Sequence, residues 1–473
     1  MTSARPGTAD LPLRVAIIGA GPTGFYAADH LFRQEGLVVE VDMFDRVPTP
    51  FGLVRAGVAP DHQKIKSVTA AFDKVASHPR FRFYGCVELG KHLSVEDLRA
   101  HYHQIFYATG AQTDRRMGIP GEDLTGSHPA TEFVAWYNGH PDYQDHQFDL
   151  GVERAAVVGV GNVAIDVARI LCRTPDELAG TDISDQALAA LRGSRIKEVY
   201  LLGRRGPAQA AFTNPEIKEL GELAGADVVV HPHEVELDPL SRAALAQAPD
   251  RATSKKVEIL QSFARHAPSG KPRRLVIRFL VSPVELVGNA AGAVTGITLV
   301  RNELYQTPTG TLQPRATGEL ETLPVGLVFR SVGYRGVPLP GVPFNDKWAV
   351  ILNEKGRVVD PASRMPVVGE YTGGWIKRGP SGVIGTNKPD AAETVACMLE
   401  DLGRGAVLQP SAATAAAADA LVRSRQPQCV SYPDWKVLDR IEVGRGRASG
   451  RPRVKLTRLE EILAALRDQA GNR

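Results

Sequence analysis

Two stretches of this chain share one pattern: a short unbroken apolar run, a glycine-rich turn, then apolar residues at helical spacing. The first run is Arg14–Ile18 (RVAII), ending at Gly19; Phe25–Phe32 then reads as a helix and Val38–Phe44 as a second strand. Runs this short, apolar on both faces, fit strands buried in a parallel sheet. The second start is Arg154–Val158 (RAAVV), followed by Gly159–Ala164, a helical stretch Ile165–Cys172 and a strand Val199–Leu202. Residues 104–108 (QIFYA) give a further strand closed by Thr109-Gly110, and Leu275–Val300 alternates and turns like strands of the second domain. Val325–Val332 reads as a buried strand returning to the first domain, and Ala412–Ala418 as an alanine-rich helix with a lightly packed face.

A chain of 473 residues is too long for one ordinary core. Two βαβ starts predict an α/β protein with two Rossmann-like dinucleotide-binding domains, parallel sheets flanked by helices. Residues 11–111 and 331–473 are expected to form one discontinuous domain, with residues 112–330 inserted as the other.

The first loop, Gly19-Ala20-Gly21-Pro22-Thr23-Gly24, has the dinucleotide fingerprint in the right context, strand before and helix after. Gly19 suits the tight turn, Gly21 the approach of a pyrophosphate, and Gly24 close helix–strand packing. Helix N-terminal N–H groups would face the phosphates. Asp45, at the end of the next strand, is placed to accept hydrogen bonds from a ribose with both hydroxyls free. FAD and NAD both satisfy this loop.

The second loop is looser, Gly159-x-Gly161-x-x-Ala164, and its strand ends at Gly203-Arg204-Arg205 where an NAD site needs an acid. Two guanidinium groups can pair with a 2′-phosphate that a carboxylate would repel. The bland reading of paired arginines is a solvated loop; their place after a dinucleotide loop favours NADP. Different ribose chemistry at the two loops points to FAD at the first and NADPH at the second.

Composition narrows the field without choosing within it. Apolar residues are 43% and charged residues 23%, and 56 basic against 53 acidic side chains leave a net charge of +3. Such balance argues against non-specific nucleic-acid binding. Cys86, Cys172, Cys397 and Cys429 make no CxxC pair, which excludes a zinc site, iron–sulfur cluster or redox dithiol built on adjacent cysteines. Scattered single cysteines suit a reducing compartment. No signal-peptide core and no run of eighteen apolar residues is present, so the expectation is a cytoplasmic chain without a membrane span. Arg445–Arg458 carries five arginines and one lysine without an acid, and reads as a solvated extension first and a contact arm second.

Longer motifs carry a resemblance. Pro48–His62 (PTPFGLVRAGVAPDH), Phe81–Gly85 (FRFYG), Gly203–Pro207 (GRRGP), Gly374–Asn387 (GWIKRGPSGVIGTN) and Ala448–Arg453 (ASGRPR) resemble segments of the adrenodoxin reductase family, including its bacterial NADPH–ferredoxin reductases. The matches run nearly the length of the chain. The resemblance implies hydride transfer from NADPH to FAD, then single electrons to a ferredoxin-type, acidic, transiently bound iron–sulfur protein. Carried over residue by residue, it implies an FAD site of Gly19, Ala20, Gly21, Pro22, Asp45, Leu53 and Val87, closed by Trp375, Gly382, Val383 and Ile384. It implies an NADPH site of Arg115, Gly161, Asn162, Val163, Arg204, Arg205 and Glu216, with Gly382 approached by the nicotinamide. His62 and Glu219 match polar residues near the flavin–nicotinamide contact.

Each assignment has a plainer rival. Gly382 suits a tight turn, Trp375 a core, and a lone histidine such as His62 is as readily structural. Val160 stands where relatives often carry a polar residue, and Phe51 replaces a tryptophan found in some. Arg251, Lys255, Lys256 and Arg265 flank Val257, Leu260 and Phe263 where the family docks its partner; the alternative is a solvated helix face. Rival functions are a thioredoxin-reductase-like enzyme, which needs a redox dithiol, an NADPH-dependent flavin monooxygenase, and a non-catalytic flavoprotein subunit.

Overall fold

A computed structural model describes residues 5–471. They divide into two compact units. The first holds the residues up to Thr113, Asn138–Pro141 and those from Tyr334 onward; the second holds Asp114–Tyr137 and Asp142–Gly333. Among the described residues no helix is long and apolar enough to cross a membrane.

The first unit is built on a seven-stranded sheet. Its order is Asn353–Glu354, Arg357–Val359, Pro366–Thr372, Gln104–Tyr107, Leu13–Ile18, Val39–Phe44 and Phe81–Tyr84. The five strands from Pro366–Thr372 onward run parallel, and the two at the other edge are antiparallel. Leu13–Ile18 has the second strand on one side and the fourth on the other, which puts the switch in strand order at its carboxyl end. Ligands of open α/β sheets bind at that point.

Polar groups inside this sheet are paired. Asp42, fully buried in the second strand, accepts from Arg14 Nη2 at 2.8 Å, Arg82 Nε at 2.6 Å and the Tyr102 hydroxyl at 2.6 Å. One carboxylate thereby ties three strands and a helix end in a region where an unpaired charge would not be tolerated.

The second unit has a six-stranded sheet, wholly parallel. Its order is Ser127–Pro129, Leu327–Arg330, Arg154–Val158, Glu198–Gly203, Arg273–Phe279 and Ala226–Val230. The strand expected to return to the first domain therefore stays in the second. Leu327–Arg330 lies between two strands of that sheet, with Val328 N–H donating to Gly126 and Ser331 N–H to Val158. An antiparallel three-stranded sheet, Val281–Gly288, Val294–Gln306 and Leu312–Leu323, completes the unit.

The arginine-rich tail is not a solvated extension. Helix Tyr432–Ala448 carries its first residues, and beyond it Arg453 donates to Asp439 at 2.8 Å and to Glu442 at 3.0 Å. Lys455 is buried, with its amine donating to Asn138 O at 3.0 Å and Arg55 O at 3.3 Å. The acids that pair with this run lie on both sides of it, Asp439 and Glu442 upstream and Glu461 downstream, outside the window in which the charge looked unbalanced.

Candidate functional site: two glycine-rich helix starts

Helix Pro22–Phe32 begins inside the glycine motif, earlier than the apolar spacing indicated; proline is tolerated in a first turn, where its missing N–H would have no helical partner. Its N-cap is Gly21, which offers no side chain to cap the first N–H groups. Gly19 has φ +108°, and a Cβ there would come within 2.5 Å of Ala108 O. A Cβ on Gly24 would meet Gly19 O at 2.4 Å, so close helix–strand packing does fix that glycine. Gly21 differs from both, since a Cβ there would meet nothing within 4 Å. Backbone N–H groups without a cap, facing open room at a helix N-terminus, suit a phosphate.

Around this loop stand groups that fit an adenine dinucleotide. Asp45 accepts from Ala20 N–H at 2.8 Å and Val47 N–H at 3.1 Å. Burial pushes its carboxyl above the ordinary value, against the pull of those two N–H groups. Val87 is buried beside it, its N–H donating to Asp45 O at 2.9 Å. Thr109, after the fourth strand, has a buried hydroxyl with no hydrogen-bond partner among the described residues. In sequence Thr109 shows only as the residue that ends a strand; in the structure its hydroxyl is an orphan that a ligand can satisfy.

The next segment closes on the loop. Phe51 N–H donates to Ala20 O at 2.8 Å, and Phe51 takes φ +84°, a left-handed conformation rare for a bulky residue. Such strain, of order 1–3 kcal/mol, persists only where the surroundings over-determine it. Here the Phe51 ring is held among Phe25, Phe72 and Trp435. The apolar ring is thus core. Leu53 opens the short helix Leu53–Ala56 and is 38% exposed. His62 caps the one-turn helix Gln63–Lys66, its carbonyl accepting from Ile65 and Lys66.

On the C-terminal side Trp375 is half-buried, 5.4 Å from the Tyr334 ring, with its indole N–H donating to Ser381 O at 3.1 Å. Gly382 has φ +81°, and a Cβ there would strike Thr386 Oγ1 at 2.3 Å. The turn itself therefore requires glycine. Val383 is 51% exposed and Ile384 half-buried.

The second unit repeats the first helix start with different flanking chemistry. Helix Asn162–Cys172 has Gly161 as an N-cap with no side-chain cap, and a Cβ on Gly161 would again meet nothing within 4 Å. Gly159, at φ +132°, is locked by Ser331 O, which a Cβ would approach to 2.2 Å. Val163 is half-buried against the core of the unit, and Val160 packs there too while its carbonyl accepts from Ala211 and Phe212. Asn162 Oδ1 accepts from Thr213 N–H at 2.9 Å, which fastens the loop to helix Asn214–Leu220.

That helix carries Glu216 and Glu219. Glu216 is buried and accepts from Arg169 at 3.3 Å; Arg169, fully buried, also donates to Asp166 at 2.6 Å and lies 4.0 Å from Glu219. Glu216 is therefore part of an internal ion cluster. His62 belongs to one unit and Glu219 to the other.

Arg204 and Arg205 follow the Glu198–Gly203 strand, and Asn302 holds their turn by donating to Arg204 O at 2.9 Å while Leu280 N–H donates to Arg205 O at 3.2 Å. Among the described residues no carboxylate pairs with Arg115, Arg204 or Arg205. Burial, and then the adjacent Arg204 charge, lower the Arg205 pKa. Two cations held side by side by their backbone, without an acid, suit an anion of more than one charge.

The proposed basic face on helix Arg251–Arg265 needs correction. Lys256 turns inward, its amine donating to Ala210 O over the Phe212 ring, and Lys255 is paired with Glu258 at 3.0 Å. Arg251 and Arg265 remain exposed.

Two parallel sheets, each opening on an uncapped glycine-rich helix start, define a two-dinucleotide oxidoreductase. Comparison with known proteins agrees: residues 13–219 match the pyridine nucleotide-disulphide oxidoreductase family model. The NADPH-ferredoxin reductase FprA of Mycobacterium tuberculosis is 47% identical over 461 residues, 96% of this chain and 98% of that protein. The mitochondrial NADPH:adrenodoxin oxidoreductase of Arabidopsis thaliana is 41% identical, covering 96% of this chain and 95% of that one. The solved structure of M. tuberculosis FprA in complex with NADPH superposes with a TM-score of 0.90 at 46% identity, covering 96% of this chain and 99% of that one. The chain belongs to the adrenodoxin reductase family, in its bacterial NADPH–ferredoxin reductase branch.

Proposed function

We propose that this protein is an FAD-containing reductase that takes hydride from NADPH and passes single electrons to a ferredoxin-type iron–sulfur protein. The observation that carries the reading is the presence, in one chain, of two open phosphate cradles with opposite ribose chemistry: Asp45 beside Gly21, and Arg204-Arg205 after the strand next to that of Gly161.

FAD is assigned to the Gly19–Pro22 cradle, with Asp45 accepting from its ribose, Thr109 satisfied by it, and Leu53, Val87, Trp375, Gly382, Val383 and Ile384 lining the remainder. NADPH is assigned to Gly161, Asn162 and Val163, with Arg204, Arg205 and Arg115 on its 2′-phosphate. When bound, the flavin supplies the conversion of a hydride pair into single electrons. The chain's own work is orientation and charge. Uncapped N–H groups neutralise phosphate, the arginines select the phosphorylated ribose, and buried rings around Phe51 keep its loop in one conformation. Glu216 is assigned to the NADPH side, its carboxylate held by the buried Arg169 guanidinium. His62 and Glu219 are assigned to the neighbourhood of the reacting rings.

The electron acceptor is an acidic protein, met transiently, and the working compartment is the cytoplasm. Four cysteines without a CxxC pair support a reducing compartment.

Anaerobic NADPH added to the purified yellow protein is expected to bleach the flavin absorbance, and ferredoxin followed by cytochrome c to restore it, with NADH much slower. Preparations that are colourless and cannot be reconstituted with flavin overturn the reading. Bleaching without any transfer to ferredoxin leaves the monooxygenase reading in its place.

A further inference from the structure

Cys86 and Cys429 lie 343 positions apart and enter none of the assignments above. Both belong to the first unit. Gly85 and Val430 form an isolated antiparallel bridge and exchange both backbone hydrogen bonds, Gly85 N–H to Val430 O at 2.8 Å and Val430 N–H to Gly85 O at 3.0 Å. In an antiparallel pair the residues next to such a doubly bonded pair face each other without hydrogen bonds, with Cα atoms about 4.5 Å apart in a regular ladder. Cys86 and Cys429 occupy those adjoining positions, beside a bridge that is not continued as a ladder. Disulfides span Cα separations of roughly 4.4–6.8 Å.

Other contacts hold both backbones in place. Gln426 Nε2 donates to Cys86 O at 3.0 Å, and Cys429 N–H donates to Gln426 O at 3.1 Å. Cys86 N–H donates to Val47 O at 3.1 Å. Cys86 follows the bridge in a left-handed conformation, φ +63°, unusual for a residue with a side chain. Cys429 also acts on its neighbour across the bridge: the Cys86 thiol is pushed up to about 12, by burial first and then by Cys429 and Asp45. Cys172 and Cys397 have no cysteine among the groups that act on them.

We propose that Cys86 and Cys429 are a dithiol site that a two-electron oxidant of the peroxide class closes to an intramolecular disulfide. Cys429 reacts first. It is half-buried where Cys86 is buried; burial raises its pKa, and the Arg423 cation opposes that rise. Its sulfur attacks one peroxide oxygen, the O–O bond breaks, and the products are a sulfenic acid and one water. The Cys86 sulfur then attacks the sulfenic sulfur, its proton leaves with the hydroxyl, and the S–S bond forms with release of a second water. Two thiols are oxidised and one peroxide is reduced to two waters, without flavin or NADPH. A thiol of the glutathione class reverses the bond by exchange.

The closed bond joins the turn carrying Val87, whose N–H donates to Asp45 O, to the connection between helices Ala415–Arg425 and Tyr432–Ala448. It is independent of the reading of the electron acceptor.

The test is peptide mapping of the full-length holoprotein after hydrogen peroxide and quenching. Trypsin cleavage after Arg82, Lys91, Arg425 and Lys436 releases Phe83–Lys91 and Gln426–Lys436, each with one cysteine. The expected result is a linked species of these two peptides, lighter than their sum by two hydrogens and abolished by reductant. Alkylation of Cys86 and Cys429 should be lost together while Cys172 and Cys397 keep theirs in unfolded samples. Cys86→Ser is expected to leave Cys429 trapped as sulfenic or sulfinic acid. Cys429→Ser should leave Cys86 reduced, which tests the order of attack without relying on one variant. Independent alkylation of both cysteines after oxidation overturns the proposal, as does a disulfide only between separate molecules, or over-oxidation of Cys429 in the native protein without linkage.

Discussion

Arg55 and Glu442 are joined by two hydrogen bonds of 2.8 and 2.5 Å across 387 positions of sequence. Glu442 is 1% exposed and also accepts from Arg453 at 3.0 Å and from Leu456 N–H at 2.9 Å. Arg55 in turn stacks over Trp435, 5.0 Å from its ring. Since Arg55 follows Phe51 and Leu53, this network fastens the segment beside the first glycine loop to helix Tyr432–Ala448. Removing one partner of a buried ion pair costs about 3–5 kcal/mol because the other charge is stranded. Glu442→Gln is expected near the lower figure, as Arg453 retains partial access to water. Chemical denaturation measures it, and flavin retention should fall in parallel.

The same carboxylate sets an acid limb. Burial alone would raise its pKa, but Arg55 first, then Arg453 and the Leu456 N–H, outweigh burial and hold it below the ordinary 4.5. A depressed folded pKa gives stability that is complete above the unfolded value and lost as pH falls through the folded one. Wild type should therefore lose stability relative to Glu442→Gln below about pH 4.5, and the difference between the two should shrink with acid. A constant difference from neutral to acid pH would contradict this origin.

The glycines separate fold from ligand. Gly21→Ala places a methyl in open room at an ordinary backbone conformation, so the flavin-free protein should keep its unfolding midpoint while FAD is no longer retained. Gly161→Ala should keep FAD and lose NADPH affinity. Gly19→Ala meets Ala108 O at positive φ and should fail as a fold. Equal damage to stability from Gly19→Ala and Gly21→Ala would remove the phosphate assignment.

Much of this was legible from apolar runs and glycine spacing, because a parallel strand followed by a phosphate turn leaves a local pattern. What local pattern cannot hold is partnership at a distance. Arg453 and Lys455 looked unbalanced because the Glu442 carboxylate that pairs with Arg453 and the Asn138 oxygens that accept from Lys455 lie in other windows. Phe51 gives no sign in sequence that it sits at positive φ; only the Ala20 carbonyl and three surrounding rings require it. Gly382 reads as a place of close ligand approach or a tight turn; that Thr386 fills the space of any Cβ there is visible only in the structure. Thr109 was readable as a strand end, but its unpartnered hydroxyl depends on what surrounds it. Cys86 and Cys429 read as lone cysteines, since nothing in the sequence shows that their neighbours Gly85 and Val430 pair.

Helix Arg251–Arg265 yields a prediction opposite to a uniform basic face. Lys256 donates to a backbone carbonyl, and burial lowers its pKa. Lys256→Ala should cost about 1 kcal/mol of stability, the net worth of one such bond, and leave the salt dependence of ferredoxin reduction as it was. Charge reversal at exposed Arg251 or Arg265 should instead slow the reaction at low ionic strength if this face meets the acceptor. A salt titration of each variant distinguishes the two roles.

Coenzyme choice is the sharpest prediction, because it is a difference between two ligands that share every atom except one phosphate. Arg204 and Arg205 have no acid to release when the phosphate arrives, so their interaction with it is not offset by a broken ion pair. A hydrogen bond to a charged group contributes about 1.5–3 kcal/mol, and 1.4 kcal/mol is tenfold in binding. Arg205→Ala, which removes the more buried cation and relieves its repulsion with Arg204, should raise the KM for NADPH roughly tenfold to a hundredfold. NADH, lacking the phosphate, should show little change in KM with either substitution. Arg204→Ala should be milder, since its exposed guanidinium competes with water and salt. The double variant should approach equal use of both coenzymes while retaining FAD, because the flavin loop lies on the other sheet. A parallel loss of kcat/KM for NADH and NADPH would assign the arginines to the fold of the turn rather than to the phosphate.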